Sequence, residues 1–208
     1  MLDFGEPENG ALAVRTTIEH FGRLDVLVNN AGTHTRTCLD GDNIPSSMDT
    51  CKRIFAVNVD SAFKATLAAI GELRRTSGNI VFVSSIGAQV AFKSSYAYNT
   101  SKAALSMFAK CLALELAPDV RVNTCSPLPT FSPYFKSAGP DDADQRRQVL
   151  EQITLDGQMS TPEEIASAIY FLASDEARSV NGHELIVDRG ALAKPCDDTF
   201  AKNLTASV

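Results

Sequence analysis

The sequence predicts an α/β domain organised on a doubly wound parallel sheet. Two observations lead there. Short, nearly continuous apolar runs such as Leu24-Asp-Val-Leu-Val28 and Ile80-Val-Phe-Val83 have the length and β-branched content of buried strands. Longer segments with apolar residues at helical spacing separate them, and that alternation favours parallel strands joined by helical crossovers. At 208 residues, 44% apolar and 21% charged, the chain is sized and composed for one globular domain with a sizeable core.

Taken in order, residues 8–21 show helical spacing, and Gly22 follows as a C-cap. The strand at 24–28 runs into Asn29-Asn30-Ala31-Gly32. Residues 47–75 read as one long helix, with Asn58 on the otherwise apolar face of Phe55-Ala-Val-Asn-Val-Asp-Ser-Ala-Phe63. A buried amide there must find partners. The strand Ile80–Val83 delivers Ser84 and Ser85 at its end, and a helix follows from Tyr98 to about Ala117. Residues 103–116 are apolar nearly all round, which predicts burial on more than one side. One sheet covers only one side, so a partner subunit is expected on the other.

Arg121-Val-Asn123 reads as a short strand, and an irregular region from Ser126 to about Asp144 follows. Residues 144–152 fit a lid helix. Phe131, Tyr134 and Phe135 fit substrate-pocket walls and plain lid packing equally well. Thr161-Pro162-Glu163-Glu164 starts a helix, with a threonine N-cap, proline at N1 and acidic residues in the first turn, that runs to about Ser174. Asn181-Gly182 turns into a last strand, His183–Asp188. The domain spans 1–193, and the tail 194–208 reads as loosely ordered.

The chemistry concentrates between Ser85 and Lys102. Tyr98 and Lys102 are four apart and share a helix face. Tyrosine titrates near pH ~10 in isolation, and a neighbouring cation favours the phenolate; a downward shift of ~3 units corresponds to about 4 kcal/mol. A nearby serine hydroxyl suits the oxygen of a carbonyl or carbinol.

Ser85, thirteen residues on Tyr98, and four further Lys102 resemble the catalytic signature of the short-chain dehydrogenase/reductase family. Asn29-Asn30-Ala31-Gly32 after a strand resembles its second signature. The resemblance begins at Leu2-Asp3-Phe4 and extends to residue 191. It implies an oxidoreductase acting on a carbonyl or secondary alcohol with NAD or NADP. Tyr98 would exchange the proton at the substrate oxygen, Lys102 would lower its pKa and hold the nicotinamide ribose, and Ser85 would polarise the carbonyl. Asn58 would hold a relay water, and Asp3 and Asn30 would border the adenosine. The family also implies a homo-oligomer paired through helices 47–75 and 98–117.

The chain departs from the family's pattern in places. No glycine-rich turn precedes Asn29, so the expectation is an incomplete Rossmann-like sheet lacking the first three strands, with a weakened grip on the cofactor. The strand at 24–28 then becomes an apolar edge, expected to be covered by a partner, the N-terminal segment or symmetric pairing. Leu128 stands where the family has a glycine, Ser132 near its threonine, and Asp188-Arg189-Gly190 where it has Asp-Gly-Gly.

A net charge of −6 and a pI near 5.1 argue against nucleic acid or an anionic membrane as partner. No apolar run approaches twenty residues, which predicts no transmembrane helix. The acidic N-terminus has no signal-peptide core. Five cysteines without a C-x-x-C fit free thiols in a reducing, cytoplasmic setting. His20, His34 and His183 are isolated, and read as surface or loop residues with no metal site. The aromatics between 131 and 135 favour an apolar substrate. Two other functions fit the residues: a cofactor-independent proton-transfer enzyme (isomerase, cyclase or dehydratase) built on Tyr98, Lys102 and Ser85, and a non-catalytic interaction subunit.

Overall fold

The computed structural model describes residues 2–37, 44–132, 135 and 143–193; the tail 194–208 and Tyr134 lie outside the described residues. Four strands form one sheet in the order β1-β2-β3-β4: β1 (Val26–Asn29), β2 (Asn79–Val83), β3 (Arg121–Pro127) and β4 (Glu184–Val187). All neighbours are parallel, with Val26 opposite Asn79, Asn79 opposite Arg121 and Thr124 opposite Glu184.

Helices cover both faces, as a parallel sheet requires. On one face α1 (Glu8–Phe21), α3 (Ser61–Thr76) and α4 (Tyr96–Leu116) enclose a core containing Val14, Ala69, Leu73, Ile80, Phe82, Leu105 and Val122. On the other, α6 (Pro162–Ala173) sets Ile165 and Leu172 against Val81 and Cys125. Residues 80–82 alternate between these cores, and every residue of β2 is buried. A third cluster of Ile86, Phe92, Leu128, Ile153 and Ala191 sits past the strand ends, with Ile153 coming from α5 (Ala143–Ile153). Gly10 permits the close crossing of α1 and α3, since a Cβ there would collide with the Ser61 carbonyl oxygen.

Several boundaries move. The first strand starts two residues later than expected, at Val26, although the Asp25 carbonyl before it already accepts the Asn79 N–H at 2.9 Å. The third continues to Pro127, since β4 pairs with its second half. The long helix is three pieces end to end: α2 (Ile44–Phe55), a π-helical turn (Ala56–Asp60) and α3. Joined in this way, Met48–Thr76 is long and apolar enough, by length and composition, to cross a bilayer. Ala62, Ala65, Ala69 and Leu73 of this helix are spent on the core.

Helix α6 begins as expected. The Thr161 hydroxyl accepts the Glu164 N–H at 3.3 Å, and the Glu164 carboxylate accepts the Thr161 N–H at 2.8 Å. Among the described residues β2 is the sole partner of β1. Residues 2–7 do not add a strand to that edge; they turn through Asp3 into α1. A cavity of about 140 Å³ lies there, lined by Phe4, Ala13, Leu27, Val28, Asn30 and Ala62.

Candidate active site

The π turn sets the first side chain. In it the Ser61 N–H reaches back five residues to the Ala56 carbonyl, and such a one-residue widening recurs at functional sites. It presents Asn58, fully buried, to the loop after β1 and to α4. Asn58 Oδ1 accepts the Thr33 N–H at 2.7 Å. Its Nδ2 donates to the Thr33 carbonyl at 3.0 Å and to Ser101 Oγ at 2.9 Å. The amide thus clips the loop as a neighbouring strand would.

Lys102 is 4% exposed. Its Nζ donates to the Val83 carbonyl at 2.8 Å and lies 5.8 Å from the Tyr98 ring centroid. Burial pulls the ammonium down from 10.5 to about 8, because a charge loses solvation in the interior. At pH 7 it therefore still carries its proton. Gly32 leaves room beside it: a Cβ at that position would stand 3.3 Å from Nζ and 3.5 Å from Asn58 Oδ1.

Ser85 follows β2 and caps a 3₁₀ turn over Ile86–Ala88, its hydroxyl oxygen accepting the Gly87 N–H at 3.1 Å. That bond uses a lone pair and leaves the hydroxyl proton to donate. Gly87 lies against Asn99, the residue after Tyr98: a Cβ on Gly87 would sit 2.9 Å from Asn99 Oδ1. The strand end and the start of α4 are also joined below. Ser84 Oγ donates to the Lys102 carbonyl at 2.9 Å. Ser106 Oγ lies 2.9 Å from Ser84 Oγ and 3.0 Å from the Glu184 carboxylate, which also accepts Ser126 Oγ at 2.6 Å.

Asn58, Tyr98 and Lys102 therefore share one site, and Ser85 flanks it through Ser84 and Gly87. Asn30 is exposed at the cavity on the β1 side, next in line to Gly32. Asp3 does not reach this cluster; its carboxylate accepts the Gly5 N–H at 2.8 Å. Phe131 and Phe135 pack on α5, under the guanidinium groups of Arg147 and Arg146 at 5.0 and 4.9 Å. Leu128 is fully buried in the strand-end core, and Ser132 Oγ accepts the Phe135 N–H at 3.2 Å.

Sequence reasoning missed His34. It sits in the expected loop, but it is half-buried and edge-on to Tyr98, with ring centroids 5.0 Å apart and planes at 88°. Its Nε2 lies 3.0 Å from Ser95 Oγ. Burial, and secondarily the Arg36 charge, holds its pKa below the usual histidine value. An isolated histidine has no periodic signal; its place two residues after Gly32 was the one available cue.

A family profile described as Enoyl-(Acyl carrier protein) reductase matches residues 1–191. Cyclopentanol dehydrogenase of Comamonas testosteroni is 39% identical over 194 residues, which are 92% of this chain and 75% of that protein. The chain belongs to the short-chain dehydrogenase/reductase family. Membership makes it an oxidoreductase of the NAD(P)-dependent type acting on a carbonyl or secondary alcohol. Trans-4-hydroxycyclohexanecarboxylate dehydrogenase of Sinomonas cyclohexanicum is 33% identical over 193 residues, 92% of this chain and 70% of that one. Among solved structures, ligand-free aldohexose dehydrogenase of Thermoplasma acidophilum superposes with a TM-score of 0.84 at 27% identity, over 94% of this chain and 78% of that one. Gluconate 5-dehydrogenase of Burkholderia cenocepacia, in complex with NADP and tartrate, gives 0.82 at 26%, over 93% and 74%.

Proposed function

We propose that the chain interconverts small secondary alcohols, alicyclic ones foremost, and their ketones, with NAD or NADP as the hydride partner. The observation that carries this is a buried lysine whose Nζ lies 5.8 Å from the centroid of a tyrosine ring. The family members that act on cyclopentanol and on a hydroxycyclohexane acid support the alicyclic class.

In the oxidation direction Tyr98, as phenolate, takes the alcohol's hydroxyl proton. The hydrogen on the carbinol carbon leaves with both bonding electrons, and the C–O bond becomes C=O. Lys102 stabilises the phenolate by its charge. Ser85 donates to the substrate oxygen and fixes it near Tyr98. Asn58 holds the relay water that resupplies the proton path from Lys102. The residues fit a nicotinamide nucleotide. One proton of the Lys102 ammonium is committed to Val83, which leaves two for ribose hydroxyls, and the bare Gly32 gives a ribose room to approach. Asn30 and Asp3 border the adenosine side. The bound nucleotide supplies the hydride acceptor.

Exposed apolar side chains on the outer helices, Leu67 at 62%, Met107 at 60% and Leu114 at 83%, support a homo-oligomer paired through α3 and α4. The free thiols Cys51, Cys111 and Cys125 suit a reducing cytoplasm.

The test is cyclopentanol oxidation followed by reduced-nicotinamide absorbance with each coenzyme. Turnover is expected, and Tyr98→Phe is expected to lower it about a hundredfold or more. Failure to bind NADH and NADPH by calorimetry, together with no turnover, sinks the redox reading.

A further inference from the structure

The segment from Thr33 to Thr37 is held at both ends. Asn58 clips the Thr33 backbone on one side. On the other, the Thr37 N–H donates to the Ser94 carbonyl at 2.8 Å, and Thr37 and Ser95 form a parallel bridge. Ser94 adopts a left-handed conformation, φ 57°, to make that junction, which a residue with a Cβ accepts only at a cost. Ser95 occupies the N-cap position of α4, yet its side chain makes no capping hydrogen bond. An N-cap serine ordinarily satisfies a helix N–H. Here its fully buried hydroxyl lies 3.0 Å from His34 Nε2. The Ser95 hydroxyl, which also lies 3.5 Å from the Lys93 carbonyl, is thus turned to His34 and not to the helix, and the imidazole rests edge-on against Tyr98.

We propose that His34 is a positioning residue for Tyr98: anchored by Ser95, its ring forms the wall that holds the phenol in the tilt it needs toward Lys102. This rests on the assignment of Tyr98 and Lys102 as the proton-transfer pair. Among the described residues the charges on this side are Arg36, which acts on the imidazole from its own segment, and Lys102, which lies against the Tyr98 ring. Both are cations, so the ring serves as a neutral wall. The edge-to-face geometry, with planes at 88°, is one that aromatic pairs prefer. Without the wall the phenol's tilt toward Lys102 is less sharply set, and the phenolate loses part of its stabilisation.

Three variants separate the parts. His34→Ala removes ring and anchor, His34→Phe keeps a ring without the nitrogen, and His34→Gln keeps a group able to reach Ser95. Two readouts are needed. The first is kcat and KM for alcohol oxidation. The second needs no turnover: the phenolate absorbance of each protein against pH, minus that of the same protein carrying Tyr98→Phe, isolates the ionisation of Tyr98. The expected result for His34→Ala is a fall in kcat of about tenfold, equal to about 1.4 kcal/mol, with KM within about twofold. The Tyr98 midpoint rises by about half a unit or more. His34→Phe recovers most of the kcat. If His34→Ala does not fold, the other two variants carry the test, with Phe expected nearer to wild type than Gln. An unchanged Tyr98 midpoint in every folded variant overturns the proposal, even if kcat falls with thermal stability. A shifted midpoint in a protein that oxidises no alcohol leaves the proposal standing and sinks the redox assignment instead.

Discussion

Replacing Lys102 by Met separates what the site needs from what the fold needs. The lysine's depression from 10.5 to about 8 means the folded protein holds its charged form at a cost of about 3 kcal/mol. Met fills a similar volume without charge. It also strips the 2.8 Å donor from the Val83 carbonyl, and a buried acceptor left bare costs about 1–3 kcal/mol. The variant is therefore expected to be more stable than wild type at pH 7 by zero to about 2 kcal/mol, a rise in Tm of up to about 6 °C for a domain of this size. The pH dependence is sharper. The folded pKa lies below the unfolded one, so between pH 8 and 10.5 the unfolded chain binds more protons, and wild-type stability rises with pH relative to the variant. Above that window the wild-type lysine is neutral in both states and keeps its hydrogen bond, so the order reverses. Urea titrations at pH 7 and pH 10.5 check this. A difference between the proteins that stays flat across that range, or a variant several kcal/mol less stable at pH 7, refutes the assignment of a desolvated ammonium. Dehydrogenase activity should be lost at both pH values.

Other substitutions test neighbouring parts of the reasoning. Wild-type kcat/KM should decline through an alkaline limb near pH 8, as Lys102 releases the proton that steadies Tyr98. Gly32→Ala places a methyl 3.3 Å from Nζ and should cut kcat/KM at least about tenfold while leaving the melting temperature within a few degrees. Asn58→Leu strips partners from both polar groups of the Thr33 backbone and should cost about 2–4 kcal/mol, with faster amide exchange at Thr33 by NMR. Glu184→Ala leaves the Ser126 hydroxyl without its acceptor, while Ser106 still has Ser84 Oγ to donate to, and should destabilise by about 1–3 kcal/mol, whereas Glu184→Gln keeps an acceptor and should lose about 1 kcal/mol or less. Chemical denaturation distinguishes the two.

The legible parts of the chain were those whose cause is local. Gly22 closed α1 where expected, with φ 74°, because a left-handed residue after a helix favours glycine. The Thr161 cap formed because both of its partners lie within four residues of one another. Tyr98 and Lys102 share a face because four residues make about one turn. Boundaries set by a neighbour were harder. The extension of β3 to Pro127 depends on β4, some sixty residues on. The helix expected over 47–75 hid a π turn, since nothing in Ala56–Asp60 announces an extra residue per turn; it persists where Asn58 can reach Thr33 and Ser101. Phe131 and Phe135 read equally as pocket walls or packing, and their contacts with the arginines of α5 come from residues eleven and more positions on, which no local pattern announces.

The amino-acid order by itself determined the strand–helix alternation, the caps, and a phenol, an amine, an amide and a hydroxyl at spacings that suit proton transfer. Each of those follows from interactions among residues close in the chain. Only the folded molecule decided that Lys102 is dry enough to titrate near 8, that Asn58 spends its amide on Thr33 and Ser101, and that His34 leans on Tyr98. Desolvation and ring contacts sum over every element that packs around a group, and β1, β2, the π turn and α4 meet only in three dimensions.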